Sequence, residues 1–83
     1  MEALNLAVVD WNRSRRAELP EIPSDTTVGE LLAEVREAMN LPRDTPYHLL
    51  YGGEKLNRSV LLKETGIKNG EEVTIAPEVS AGG

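Results

Sequence analysis

One stretch of this sequence has the apolar spacing of an amphipathic helix, and it restricts the folds that the chain can adopt. Apolar side chains recur on one helical face there, and charged residues take most of the other positions. Thr27 and Glu30 have the spacing of a capping box at the helix start. Asn40 and Pro42 are typical of a helix end. The apolar positions are Val28, Leu31, Leu32, Val35 and Met39. A single helix with one apolar face is therefore predicted, and other elements must cover that face.

The segment before the helix alternates with the period of a strand. Residues 4–9 place leucine or valine at every second position, and Ala17 and Leu19 resume the alternation after a basic loop at residues 11–16. This pattern predicts a hairpin. Because proline cannot donate a ladder hydrogen bond, Pro20 indicates an edge strand or a bulge.

The segment after the helix contains further short elements. The predicted elements are a strand at residues 47–51, a short strand around residues 55–56, a short helical turn within residues 60–67 and a last strand at residues 73–76. Gly52-Gly53 and Asn69-Gly70 are turn signals that separate them.

Together these elements predict an α+β fold, in which one amphipathic helix packs on one face of a mixed sheet of four to five strands. The chain has 83 residues and 40% hydrophobic content, which is enough for one core and one domain. Its aromatic residues are Trp11, Tyr47 and Tyr51, so the core must be mainly aliphatic. The predicted core consists of Leu4, Leu6, Val8, Leu19, Val28, Leu31, Leu32, Val35, Leu49, Leu56, Leu62, Ile67, Val73 and Ile75.

Charge and composition argue against several classes of function. The net charge of -5 has the wrong sign for a protein that neutralises phosphates. The absence of cysteine excludes a disulfide framework, a thiolate nucleophile and a cysteine-based zinc site. No apolar run approaches the roughly 20 residues of a membrane span, and the first residues lack the basic start of a signal peptide. We therefore expect a cytoplasmic protein that binds neither nucleic acid nor membrane.

No group of residues in the sequence has the pattern of an enzyme active site. His48 is the single histidine, and it has neither a metal-ligand companion nor a cysteine to activate. Gly52-Gly53 belongs to a hairpin turn rather than to the start of a helix, which argues against a phosphate cradle. The sequence thus predicts no catalytic residue, no bound metal and no cofactor.

The end of the chain is small and glycine-rich. We divide the chain into a domain at residues 1–77 and a flexible tail at residues 78–83, which ends in Gly82 and Gly83. An enzyme that activates a C-terminal carboxylate must draw an extended chain into a narrow channel. Residues without Cβ let backbone and nucleophile approach closely there. The alternative is a frayed tail without function.

The sequence resembles ubiquitin over nearly its whole length. The resemblance rests on residues 23–26 before the helix, residues 41–42 after it, residues 48–56 with their glycine turn, residues 73–75 and the terminal glycine pair. It implies the β-grasp fold of ubiquitin-like proteins.

The resemblance also implies that the chain is a protein modifier. An activating enzyme would adenylate the Gly83 carboxylate and take it onto a cysteine as a thioester. The acyl group would then be joined to a lysine amine of a target protein, with the help of a conjugating enzyme, and an isopeptidase could remove it. The modifier itself would act as a monomer without a cofactor.

Two departures from ubiquitin limit this interpretation. Ubiquitin has tail arginines that help to select its activating enzyme, whereas this tail offers Glu78, Val79, Ser80 and Ala81. A dedicated activating enzyme is implied, or none. Glu54 stands where the main chain-forming lysine of ubiquitin falls, which speaks against efficient polymer chains.

Two other functions remain open at this point. Residues 69–79 followed by a glycine pair resemble the ending of the small subunit of molybdopterin synthase and related sulfur carriers. Those proteins share the β-grasp fold and bear sulfur as a C-terminal thiocarboxylate. The third possibility is a ubiquitin-like adaptor domain that binds partners without covalent attachment.

Strand alternation also predicts a recognition surface. If Leu49, Val73 and Ile75 face the core, Leu50, Thr74 and Ala76 face away from it. Trp11 lies in the first hairpin loop and has no place in the predicted core. By resemblance, Trp11, Leu50, Thr74 and Ala76 occupy the positions of the main hydrophobic recognition patch of ubiquitin.

Overall fold

The computed structural model describes residues 3–42 and 44–78. Within them the chain forms β1 (Ala3–Asp10), β2 (Arg16–Pro23), α1 (Val28–Ala38), β3 (Tyr47–Tyr51), β4 (Glu54–Lys55), α2 (Leu62–Thr65) and β5 (Glu72–Pro77). The predicted order of elements is confirmed.

The strands form one mixed sheet in the order β2-β1-β5-β3-β4. Strands β1 and β5 run parallel to each other, and the other neighbouring strands are antiparallel. Placing the last strand between β1 and β3 joins the two halves of the chain into one sheet. The fold is therefore α+β, with α1 packed on one sheet face, as predicted.

The second strand is longer than the sequence predicted, because a bulge lies within it. The pairing register with β1 shifts between Leu4 and Leu6, and Glu21 has a left-handed backbone with φ 54°. The side-chain oxygen of Asn5 accepts a hydrogen bond from the Glu21 N–H. The bulge turns Ile22 back into the core, where it is buried. Strand β2 is also an edge strand, so both structural consequences expected of Pro20 are present.

Local interactions define the two ends of α1 as predicted. The Glu30 N–H donates to Thr27 Oγ1 at 3.1 Å, and the Thr27 N–H donates to Glu30 Oε1 at 3.0 Å. These reciprocal bonds form the capping box and satisfy N–H groups that a helix start leaves unpaired. At the other end, Asn40 adopts a left-handed backbone with φ 55°.

The core lies between α1 and one face of the sheet, and most of its predicted members are buried. Leu19 and Leu56 were predicted to be buried in the core, and this prediction is wrong. Both are half-buried and pack against the core from its margin. Leu19 lies on the edge strand, and Leu56 follows the short β4. Ile22, Met39 and Tyr47 are buried core residues that the prediction omitted. Ile22 was missed because the bulge changes the alternation of β2.

The turn between β3 and β4 requires its two glycines. Gly52 and Gly53 have φ 62° and 83°, in the left-handed region that most residues avoid. Tyr51 and Glu54 face each other across this two-residue turn. Two consecutive positive φ values are typical of the hairpin turns that match strand twist.

Candidate partner-binding surface

The sheet has a second face that points away from α1, which we call the outer face. Leu50 pairs with Thr74, and His48 pairs with Ala76, across β3 and β5. Thr74 also pairs with Val9 on β1. Paired residues share a sheet face, and their neighbours Leu49, Val73 and Ile75 are buried in the core. The register therefore brings together three of the four residues predicted for recognition.

These three residues form the apolar centre of the outer face. Leu50, Thr74 and Ala76 are each half-buried. Leu50 is not among the half-buried apolar residues that pack against the core, which are Ala17, Leu19, Leu41, Tyr51, Leu56 and Val60. Its side chain thus covers the sheet surface rather than filling the interior.

An ion pair bounds the apolar centre on one side. Arg16 Nη1 on β2 lies 2.8 Å from Glu72 Oε2 on β5. Because β1 runs between those two strands, this pair crosses β1 in the region of Ala7 and Val9. Both of these residues are buried although they face away from the core. The exposed apolar surface of the outer face is therefore concentrated on β3 and β5.

Trp11, the fourth predicted residue, lies in the loop just beyond β1, and the strand register does not place it on the outer face. Trp11 is 49% exposed. Among the described residues, no other large apolar residue is exposed. The ring centroid of Trp11 lies 6.2 Å from that of Tyr47, with the ring planes tilted by 35°. Tyr47 belongs to the core cluster. Trp11 thus packs against a fixed aromatic ring, while half of its surface remains open to a partner.

Asp10 organises the loop that carries Trp11, and sequence analysis missed this role. Its carboxylate accepts hydrogen bonds from the Ser14 N–H at 2.9 Å, the Ser14 hydroxyl at 3.0 Å and the Arg15 N–H at 3.2 Å. Arg15 Nη1 in turn donates to the Met39 carbonyl at the end of α1, at 3.1 Å. The loop is therefore tied to the helix. An aspartate at a strand end, four residues before a serine, is the signal that could have indicated it.

Asp10 is only 3% exposed, and burial of its carboxyl favours the neutral form. The hydrogen bonds from Arg15 and Ser14 outweigh that effect, and the pKa of Asp10 lies below its ordinary value of 3.8. A carboxyl whose pKa falls on folding stabilises the folded state above its unfolded pKa, and this contribution disappears as the pH drops through the folded pKa.

We expect Asp10→Asn to make the melting temperature depend less on pH in the acid range. The wild-type melting temperature should fall as the pH drops below 3.8, and the variant should lose part of that fall because it has no proton to bind there. Thermal melts followed by circular dichroism between about pH 5 and pH 2 measure the effect. Asp25→Asn, which removes an exposed aspartate, is the matched control. Parallel wild-type and Asp10→Asn curves would contradict this role of Asp10.

A second group of charges surrounds Glu78, the residue that follows β5. Lys55 Nζ donates to Glu78 Oε1 at 2.6 Å. Arg58 Nη2 lies 3.6 Å from Glu78 Oε2, and His48 Nδ1 lies 4.0 Å from Glu78 Oε1. The hydrogen bond from Lys55 is the main cause that holds the pKa of Glu78 below its ordinary value, and the charges of Lys55 and Arg58 act in the same direction. We set the start of the tail at Glu78, but its backbone N–H donates to the Pro46 carbonyl at 2.9 Å.

Gly82 and Gly83, the residues predicted for conjugation, lie outside the described residues, as does the rest of the predicted tail after Glu78. Among residues 3–42 and 44–78, no group of histidine and acidic side chains is arranged to hold a metal ion. In the same ranges, neither helix has the length and apolar character needed to cross a membrane.

Comparison with known proteins points to a single fold family. Residues 17–76 match the sequence profile described as ubiquitin-2-like Rad60 SUMO-like. No curated protein sequence matches the chain.

Solved structures agree with this assignment of the fold. The ubiquitin of Caldiarchaeum subterraneum is 23% identical, with 96% of this chain and 99% of that chain covered and a TM-score of 0.80. The ubiquitin-like domain of Plasmodium falciparum Dsk2 is 17% identical, with 93% and 100% covered and a TM-score of 0.79. A SUMO mimic that promotes DNA repair is 20% identical, with 90% and 91% covered and a TM-score of 0.78. At these identities the likeness concerns the fold.

Proposed function

The chain belongs to the ubiquitin-2-like Rad60 SUMO-like family, and from this membership we propose that it is a ubiquitin-like modifier attached to target amines through Gly83. Family membership indicates a ubiquitin-like domain of a non-enzymatic kind. The proposal adds covalent attachment, the outer face as the partner surface, and action as a monomer in the cytoplasm.

The observation that carries the proposal is the position of the outer face next to the exit of the C-terminal segment. Ala76 lies on the outer face and is followed by Pro77 and Glu78 at the end of β5. The residues from Val79 to Gly83 can span about 17 Å when extended, at roughly 3.3 to 3.6 Å per residue. A partner bound to the outer face could therefore receive the Gly83 carboxylate in its own active site.

The chemistry would require nothing from the modifier except its terminal carboxylate. Attack of the Gly83 carboxylate on the α-phosphate of ATP forms an acyl adenylate and releases pyrophosphate. A cysteine thiolate of the activating enzyme then displaces AMP to give a thioester. A target lysine amine attacks the thioester and releases the thiol, which leaves an isopeptide bond. The small side chains before Gly83 favour entry of the segment into a narrow channel.

A non-covalent adaptor is the second candidate. It is favoured by the likeness to the ubiquitin-like domain of Dsk2, which is named as a domain of that protein. The outer face would serve an adaptor equally well, because docking does not depend on Gly83. A sulfur carrier would use the same terminal carboxylate but convert its adenylate to a thiocarboxylate.

Mass spectrometry of the chain and its adducts, isolated from its own cells, separates these functions. A modifier is expected to leave residues 79–83 as a remnant on target lysines after cleavage with a glutamate-specific protease, which cuts after Glu78. A chain that lacks Gly82 and Gly83 should leave none. The truncated chain is the matched control, because it keeps all five strands and both helices. A thiocarboxylate in place of the terminal carboxylate would identify a sulfur carrier. A free carboxylate alone, in cells that contain an adenylating enzyme able to bind the chain, would contradict both covalent functions.

A further inference from the structure

The charges around Glu78 lie at the point where the chain leaves the sheet, and they have no place in the core. Three basic side chains approach one carboxylate from β3, β4 and the loop after β4. Lys55 is on β4, His48 is on β3 and Arg58 is in the loop. Their side chains are 58%, 18% and 54% exposed, respectively, and that of Glu78 is 33% exposed. An arrangement of this kind restrains one residue rather than stabilising the domain as a whole.

Two backbone contacts place the same residue. The Glu78 N–H donates to the Pro46 carbonyl at 2.9 Å, which continues the β3–β5 ladder one residue beyond the Tyr47 and Pro77 pair. Arg58 Nη2 donates to the Tyr47 carbonyl at 2.7 Å while it lies close to Glu78. Arg58 is therefore held by the backbone of β3 in a position to attract the carboxylate.

His48 adds a polar atom without a partner. Its Nδ1 is buried and accepts or donates no hydrogen bond within the described residues, and Glu78 Oε1 is 4.0 Å away. Burying a polar atom without a partner costs free energy. The Glu78 carboxylate is too far from this atom to form a hydrogen bond with it, so Lys55 and Arg58 rather than His48 hold the position of the carboxylate.

We propose that Lys55 and Arg58, with His48 beside them, form a charge latch on Glu78 that fixes where the C-terminal segment leaves the domain. Residues beyond Glu78 then start from a defined point on the outer face, next to Ala76. The consequence for activation rests on the proposed function. Because the latch holds Glu78 at one point, the segment that carries Gly83 always begins at the same place relative to an enzyme bound at the outer face. Release of the latch would free Glu78 from that point and so spread the positions from which the residues after it begin.

Lys55→Met tests the latch itself. It removes the closest charge while keeping most of the apolar stem, and Lys63→Met on α2 is the matched control. Hydrogen exchange of the Glu78 amide, followed by NMR, is expected to be about three- to fivefold faster in Lys55→Met, which corresponds to the small stabilisation that an exposed ion pair provides. Exchange in Lys63→Met should be unchanged. Salt near 1 M should accelerate the same amide in wild type and have less effect in Lys55→Met, because the charges are screened.

The charge-reversed pair Lys55→Glu with Glu78→Lys provides the rescue. We expect slow exchange at residue 78 to be lost in each single variant and to return only in part in the double variant, because the lysine introduced at position 78 would lie beside Arg58. Exchange that is equal in wild type, Lys55→Met and the single charge reversals would overturn the latch. An exchange rate that rises together with that of the Ile75 amide would also overturn it, because the whole strand would then be loosened.

The effect on activation is measured separately, with the adenylating enzyme that forms a thioester with the wild-type chain. The specificity constant kcat/KM is expected to fall about threefold in Lys55→Met and to recover only in part in the charge-reversed pair, in line with the exchange effect. Faster exchange with unchanged kcat/KM would show that the latch does not present Gly83, while the modifier function stands. If no adenylating enzyme activates the wild-type chain, the modifier function fails and the exchange result alone decides the latch.

Discussion

Leu49→Ala is expected to lower the free energy of unfolding by about 2 to 5 kcal/mol. Leu49 is 1% exposed and lies on β3 opposite Ile75 of β5, so it is packed between the sheet and the helix layer. Truncation would remove buried apolar surface and leave a cavity that rigid neighbours cannot fill. A domain of this length has a total stability of roughly 4 to 12 kcal/mol, so the loss is a large part of it.

The neighbouring residue provides the control. Leu50→Ala removes the same atoms from the same strand, but on the outer face, where the side chain is half-buried and does not pack against the core. Thermal and chemical denaturation of both variants should show a large loss for Leu49→Ala and less than about 1 kcal/mol for Leu50→Ala. Equal losses in the two variants would contradict the assignment of the two sheet faces.

The sequence predicted most of this fold because its local signals agree with one another. The capping box of Thr27 and Glu30, the helical apolar face and the Gly52-Gly53 turn each depend on residues close in the chain. Such signals can be recognised without knowledge of tertiary contacts. The alternation of β3 and β5 likewise predicted which residues share the outer face.

What the sequence did not predict depends on contacts between distant segments. Ile22 returns to the core only because a bulge at Glu21 changes the register of β2, and the Glu21 N–H is satisfied by Asn5 on the neighbouring strand. The contact of Arg15 with the Met39 carbonyl and the convergence of cations on Glu78 also join residues far apart in sequence. The spacing of apolar residues predicts which face of a strand or helix a residue lies on. It does not predict which residue from a distant segment will contact it.

The position of Trp11 shows the same limit. The sequence placed it in the hairpin loop and outside the core, and the structure adds a contact with Tyr47 that orients its ring. Tyr47 was expected only as a strand residue, yet it is buried and supports Trp11. Because this support comes from β3, the ring of Trp11 is oriented by a segment that is separated from it in the sequence by the whole of α1.

Trp11→Ala is expected to weaken binding to outer-face partners by about 2 kcal/mol or more, close to a thirtyfold loss of affinity. A half-exposed aromatic ring that is already oriented by Tyr47 can fill a pocket of a partner with little further loss of freedom. Calorimetry with purified partners that bind the wild-type chain, the adenylating enzyme included, gives the change in Kd. Stability should change little, because Trp11 buries only part of its surface in the isolated chain.

Leu50→Ala links this prediction to the core prediction, because it should weaken the same partners while leaving the fold intact. Leu61→Ala, which truncates a half-buried leucine between β4 and α2, is the matched control and should bind as wild type does. Loss of binding in Trp11→Ala and Leu50→Ala but not in Leu61→Ala is the pattern expected of one continuous surface. If Leu50→Ala alone weakens binding, Trp11 is not part of the surface. If both variants bind as tightly as wild type, partners use a different face of the domain, and the docking of an enzyme beside the exit of the C-terminal segment must be abandoned.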